Sequence, residues 1–309
     1  QWIIDGLVVR YPFLSAGVIG KSVMGKDIHS LWIGTGEKQV FYSASYHANE
    51  SITTPVLLTF VEEYAAAYAA GGNIVFSSAV REEHSGQTGM GQESVDARTL
   101  FDEYRLCMVP LVNPDGVDLV NGLLNSGIYY RRARQIADDY PAIPFPDGWK
   151  ANIDGVDLNL QFPAGWEMAK QIKFSQGYDK PAPRDFVGEA PLTAPESVAV
   201  YELTKENDFL LILAYHTQGE VIYWKYLDYE PARSKEIADY FASVSGYAVE
   251  ETPSASGYAG YKDWFIEEYD RPGYTVEAGM GENPLPMTQL ERIYHDNKGI
   301  LVGGMTQLR

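Results

Sequence analysis

The stretch KQVFYSASYHANE, residues 38–50, begins as a β-strand and ends in chemistry. Its first half carries the Val, Phe and Tyr that suit a pleated, buried surface. His47 and Glu50 follow with two residues between them. A short-spaced pair of this kind can give a metal two ligands from one turn of chain, and a catalytic zinc takes three protein ligands while keeping one position open. His-x-x-Glu alone decides nothing. The answer lies in where the rest of the chain delivers its polar groups.

Outward from this stretch, strands and helices alternate. Residues 51–72, SITTPVLLTFVEEYAAAYAAGG, have helical periodicity and a Gly-Gly stop. NIVFSSAV (73–80) and RLCMVPLV (105–112) read as strands, the latter closed by an NPDG turn. DFLLILAYH (208–216) delivers His216 at its end, and PGYTVEAG (272–279) delivers Glu277. Between them, residues 192–207 read as a helix with Thr193 as N-cap, Pro195 in the first turn and Glu196 completing a capping box. Residues 230–246 read as a helix stopping at Gly246, and 287–305 as a C-terminal helix. The alternation implies an α/β fold: a central mixed, mainly parallel sheet with helices on both faces, in a single domain spanning 1–309. Ligands of such sheets bind beyond the carboxyl ends of the strands. His47, Asn113, His216 and Glu277 all fall there.

The bulk numbers narrow the function. With 309 residues and 45% hydrophobic content there is ample material for a core. A net charge of −18 argues against nucleic acid and against binding to anionic polymers. No apolar run reaches the roughly 18 residues of a membrane span, so no membrane insertion is expected. Cys107 is the single cysteine, in an apolar run where a buried, inert thiol is expected. Of the five histidines, His216 is the natural third ligand beside His47 and Glu50. His29, His84 and His295 read as solvated or locally bonded, with His84 and Glu82 or Glu83 a remote second cation site.

Seven pieces in order carry a family resemblance. GKSVMGKDIHSLWIG (20–34), HANE (47–50), VNPDGV (112–117), YYRRAR (129–134), GVDLNLQF (155–162), AYHTQG (214–219) and YTVEAG (274–279) resemble, respectively, the early GKSxEGRxI region, HxxE, NPDG turn, WRK segment, GVDLNRNF, third-ligand strand and catalytic-Glu strand of the zinc carboxypeptidase family. The resemblance implies that fold, with one catalytic zinc ion (Zn2+) held by His47, Glu50 and His216. It implies that Glu277 is general base and later general acid, that Arg131 stabilises the oxyanion, and that Asn159 binds substrate. Arg132 and Arg134 neighbour Arg131, and a shift in alignment would exchange them. The chemistry is coherent: zinc polarises the scissile carbonyl, a carboxylate moves the proton, and a cation receives the developing charge.

Three positions depart from the carboxypeptidase A pattern. Asn49 and Leu160 stand where that group places arginines, the latter the clamp for a free C-terminal carboxylate. Pro253 stands in TPSASGYAG (252–260) where it places a capping Tyr; Tyr258 is the candidate replacement. Leu cannot replace a bidentate arginine clamp. HANESITTP (47–55), GVDLNLQFPAGWE (155–167) and TVEAGMGENPLP (275–286) resemble the bacterial γ-D-glutamyl-L-diamino acid endopeptidases. That implies hydrolysis of the amide between γ-D-Glu and diaminopimelate or Lys in peptidoglycan stem peptides, a peptidoglycan-derived peptide as partner, and a secreted or cell-wall-associated setting, with Gln1 at a domain or processing boundary. The alternatives are a metallocarboxypeptidase trimming ordinary C-termini, a related N-acyl amino acid amidase or deglutamylase, and an inactive wall-binding module. Arg81, Arg184, Lys225 and Lys262 are candidate readers of substrate carboxylates by charge only, against the ordinary expectation of a solvated surface cation.

Overall fold

The computed structural model describes residues 1–81 and 88–308. Ten strands run in chain order: β1 (Ser15–Lys21), β2 (Asp27–Ile33), β3 (Lys38–Ala44), β4 (Asn73–Arg81), β5 (Thr88–Asp96), β6 (Tyr104–Val109), β7 (Phe209–His216), β8 (Val221–Tyr223), β9 (Ala248–Glu250) and β10 (Gly273–Glu277). Eight form one sheet in the order β1-β2-β6-β3-β7-β10-β8-β9. The central four, β6, β3, β7 and β10, are parallel, while β2 and β8 join their flanks antiparallel. This is the expected mixed sheet with a parallel centre.

Alternation along the central strands explains why both faces are covered. Val40 and Tyr42, Leu106 and Met108, and Leu211 and Leu213 enter one core with the helices Thr53–Ala70, Ser234–Ser245 and Leu290–Thr306. Phe41, Cys107 and Ile212 enter the other, with the helices Pro195–Lys205 and Tyr261–Tyr269. A strand whose two faces are both apolar has to be sandwiched. The Cys107 thiol is wholly buried and its pKa is pushed up by that burial, so it is inert at neutral pH. Among the described residues no helix is long and apolar enough to cross a membrane.

Two elements differ from expectation. NIVFSSAV does not join the main sheet; β4 pairs only with β5, as a separate antiparallel ribbon. A strand-rich run fixes strand type but not partner. The expected capping box at Thr193 is also absent. The N-cap is Ala194, without a side-chain cap bond. Thr193 instead donates from its N–H and Oγ1 to Gln161 Oε1, and buried Glu196 accepts from Val23 N and Asn152 Nδ2. Long-range ties have taken over residues that local grammar assigns to a cap. The predicted stops hold: Gly71 and Gly246 end their helices in the left-handed region, at φ 64° and 78°.

The C-terminal helix lies tightly on the sheet. Tyr42, fully buried, donates its hydroxyl to Leu301 O at 2.7 Å, and a Cβ on Gly304 would run into that hydroxyl. Gly304→Val should therefore destabilise the fold by about 1–3 kcal/mol through overpacking, despite the better helix propensity of Val, which is worth only roughly 0.5 kcal/mol. Urea unfolding of the two proteins measures the difference, and an unchanged midpoint would show that the helix can lift off Tyr42.

Candidate metal centre and substrate cavity

Three strand ends build the centre. Ser45, at φ 55°, turns the chain out of β3, and its N–H and hydroxyl are held by Thr53. His47 and the short 3-10 turn Ala48–Glu50 follow. In the parallel register Ala44 lies opposite Tyr215, and Glu277 opposite His216. Sheet register alone therefore brings together residues 166 positions apart, Glu50 and His216.

The donor atoms converge. His47 Nδ1 lies 2.9 Å from Glu50 Oε1, His216 Nδ1 lies 3.0 Å from Glu50 Oε2, and the two Nδ1 atoms are 3.2 Å apart. Zinc bonds of about 2.0–2.1 Å at tetrahedral angles separate donors by roughly 3.3 Å. The set of two imidazoles and a carboxylate fits such an ion. Among the described residues it is the one His/Cys/Asp/Glu group so arranged. The outward ring nitrogen of His47 meets Asp157 Oδ1 at 3.1 Å, the carboxylate partner that orients metal-ligating histidines.

Burial and charge set the proton affinities. Burial opposes a charge on His47, but Glu50 and Asp157, opposed by Lys150, outweigh it and hold the imidazole up to about 9. Glu50 is held well below the usual carboxylate range: burial would raise it, and His47, Lys150 and the bond from His216 win. His216 is lowered by burial. Glu277 is raised, first by burial and then by the charge of Glu50. A carboxylate so placed accepts a proton readily.

Beside the centre is a cavity of about 200 Å³. His47, His216 and Glu277 line it together with Asn159, Leu160 and four cations, Lys150, Lys173, Arg184 and Lys262. Asp157, Asp185, Asp263 and Glu277 line it too, so in a chain of net charge −18 the wall is locally balanced. Asn159 accepts from Tyr261 N through Oδ1, which leaves its amide N–H groups as its donors here. Leu160 is buried in the wall. Asn49 is turned to Asp147 O, 3.0 Å away.

Other expected residues lie elsewhere. Arg131 is exposed on the helix Gly127–Asp138 and does not line the cavity. Arg132 pairs with Asp154 and Arg134 with Asp138, and neither lines the cavity, so a shift to either neighbour does not recover the role. The cation at the centre is Lys150, 2.9 Å from Glu50 Oε1. Its signal was the Trp149-Lys150 pair shortly before GVDLN (155–159), a closer echo of a Trp-basic segment than YYRRAR. Tyr258 packs on Tyr226 and lines a side groove with Lys225. Pro253 does line the main cavity. Lys225 is spent on Glu230 and Glu251. Lys262, expected at the surface, is buried. Asn113 caps the helix Pro114–Val120 and donates to Tyr46 O and Ala151 O, bracing the centre from behind. His29 and His295 stand apart from the centre, His295 bonding Ser77. His84, Glu82 and Glu83 lie outside the described residues, as does the Arg81 side chain.

Comparison with known proteins agrees with this geometry. The family model described as zinc carboxypeptidase matches residues 2–299. The chain is 43% identical over 304 residues to gamma-D-glutamyl-L-diamino acid endopeptidase 1 of Lysinibacillus sphaericus, covering 98% of this chain and 70% of that protein. It is 42% identical over 302 residues to the protein YqgT of Bacillus subtilis (strain 168), covering 96% and 73% respectively. Carboxypeptidase A from Helicoverpa armigera superposes with a TM-score of 0.70 at 20% identity, covering 97% of this chain and 70% of that one.

Two outcomes test the centre. Glu50→Ala and His216→Ala should each lose chelator-resistant zinc, read as metal content after dialysis against a chelator; full retention by both would refute the donor set. A metal requires neutral His47, so the proton this site holds up to about 9 competes with it. Zinc affinity should accordingly rise as pH is raised towards that value, by up to about tenfold per unit for one displaced proton. Competition titrations at several pH values measure the slope, and a flat profile would contradict it.

Proposed function

Because the chain belongs to the zinc carboxypeptidase family, we propose that it hydrolyses the amide between γ-D-Glu and the diamino acid, diaminopimelate or Lys, in peptidoglycan stem peptides. The observation that carries the reading is Leu160. An apolar side chain occupies the cavity wall where an exopeptidase needs its carboxylate-clamping arginine, while the metal donors and Glu277 are all in place. Asn49, committed to a backbone carbonyl, does not restore the clamp. An ordinary C-terminal carboxylate has no bidentate partner at that place. The 43% identity to an enzyme named for the γ-D-glutamyl bond supports the same reading.

His47, Glu50 and His216 would hold one catalytic zinc, which supplies Lewis acidity toward the scissile carbonyl and the attacking water. Glu277, with its raised proton affinity, takes the proton from that water and gives it to the leaving amine. Lys150 has one bond committed to Glu50 and turns its remaining protons to the developing oxyanion, the role expected of Arg131, which does not line the cavity. Asn159 orients the substrate through its amide N–H groups. Tyr258 acts at the side groove, on substrate reaching beyond the cavity. Residues 1–309 work as one catalytic domain, in a secreted or wall-associated setting where stem peptides are met.

Glu277→Gln should keep its zinc and lose about 10²–10⁴-fold in kcat. Lys150→Met should lose roughly 10²–10³-fold, the range for an oxyanion donor. If Arg131→Ala proves the damaging change and Lys150→Met is harmless, the oxyanion assignment is reversed. The substrate test sets L-Ala-γ-D-Glu-diaminopimelate against an α-linked L-peptide with an aromatic or basic C-terminus. Release of diaminopimelate with little trimming of the α-linked peptide is expected. Efficient trimming with no attack on the γ-bond would return the chain to the carboxypeptidases.

A further inference from the structure

A γ-linked glutamyl unit carries a free α-carboxylate on the same residue as the scissile carbonyl. Four C–C bonds join the two groups, so their carbons lie at most about 5 Å apart. A cation near the metal centre has to meet this charge or leave it in water. Of the four cations on the cavity wall, three are already engaged. Lys150 holds Glu50. Lys173 is buried on Asp185 at 2.6 Å. Lys262 contacts Asp263, Lys225 O and Thr252 Oγ1, a full set for one ammonium group.

Arg184 is different. Its Nε donates to Asp185 Oδ2 at 2.6 Å, and among the described residues no partner is found for its two terminal nitrogens. Asp185 is itself fixed, by Lys173 on its other oxygen and by Asp157 Oδ2 on its backbone N–H. The guanidinium is thus oriented while its outer fork stays open, the geometry that takes a carboxylate with two parallel bonds. Its side chain is 42% exposed. It lines both the main cavity and the adjoining groove that runs past Asn49 and Thr217, with Glu277 on both walls. Its charge is felt at Lys150, and it feels that of Asp157, so it lies within electrostatic reach of the centre.

We propose that Arg184 receives the free α-carboxylate of the γ-linked glutamyl unit and is the residue that selects the free acid over its α-carboxamide. The proposal rests on the γ-glutamyl reading above. The α-amidated unit presents a neutral carboxamide there and leaves the fork unpaired. A charge-assisted pair of this kind corresponds to about ten- to hundredfold in kcat/KM.

The test uses the zinc-loaded full chain and two peptides, L-Ala-γ-D-Glu-diaminopimelate and its α-carboxamide counterpart, with a D-isoglutaminyl residue. The wild type should prefer the acid by about ten- to hundredfold. Arg184→Ala should lose most of its rate on the acid and much less on the amide, bringing the ratio near one, and Arg184→Lys should keep part of the preference. Zinc content and the residual amide rate report that each variant is folded. A wild-type ratio near one, or an Arg184→Ala ratio equal to the wild type's, overturns the role of Arg184 while leaving the γ-glutamyl reading standing. A wild type that cleaves neither peptide overturns that reading, and the role of Arg184 with it.

Discussion

The hydrogen bond between His47 and Asp157 is the constraint on which the site depends. Asp157 is buried and its pKa is held down: burial pushes against this, and the His47 charge and bond prevail. One oxygen orients the imidazole, and the other accepts from the N–H of Asp185. The same stretch is tied on both sides by backbone bonds, Asp157 N to Phe186 O and Ala48 N to Lys150 O. Three segments, 46–50, 150–157 and 183–186, are therefore tied directly to one another. Each carries part of the chemistry: metal donors on the first, Lys150 and Asp157 on the second, Arg184 on the third.

Much of this was legible from residue order. The central strands carry period-2 apolar patterns on two faces, which only a covered sheet satisfies, and His216 and Glu277 stand where such strands end. A short pair and one strand-end His offered the donor trio, and the resemblance to the zinc carboxypeptidases supplied its assignment. What could not be read was whatever depends on distant partners. NIVFSSAV has strand composition, but nothing in it says that it pairs with residues 88–96 rather than with the sheet. Thr193 and Glu196 satisfy the spacing of a cap and are taken by Gln161, Val23 and Asn152 instead. Basic residues were hardest. Lys262 and Arg184 carry no local pattern separating them from surface cations, and YYRRAR drew attention from Lys150 because it offers more arginines.

Charge is distributed with a purpose that the total conceals. A chain of −18 repels polyanions at long range, yet its cavity matches four cations to four carboxylates. Most of them are neutralised by a fixed acidic neighbour, so the cavity is structured rather than simply positive. Ligand charge is then read by position, at the few donors left open, rather than by the overall field.

The separation of the donors along the chain also bears on how the protein comes together. His47 and Glu50 sit on one local turn, but His216 arrives from 166 residues beyond Glu50, through the β3–β7 pairing. Closing so long a loop is an entropic cost that a local turn cannot offset. A nascent or partly folded chain thus offers an ion only a loose two-donor site, and tight capture waits until the middle of the sheet has zipped. In this architecture an ion held by these donors would latch a finished fold rather than seed it, and an activity that needs all three donors would wait for assembly.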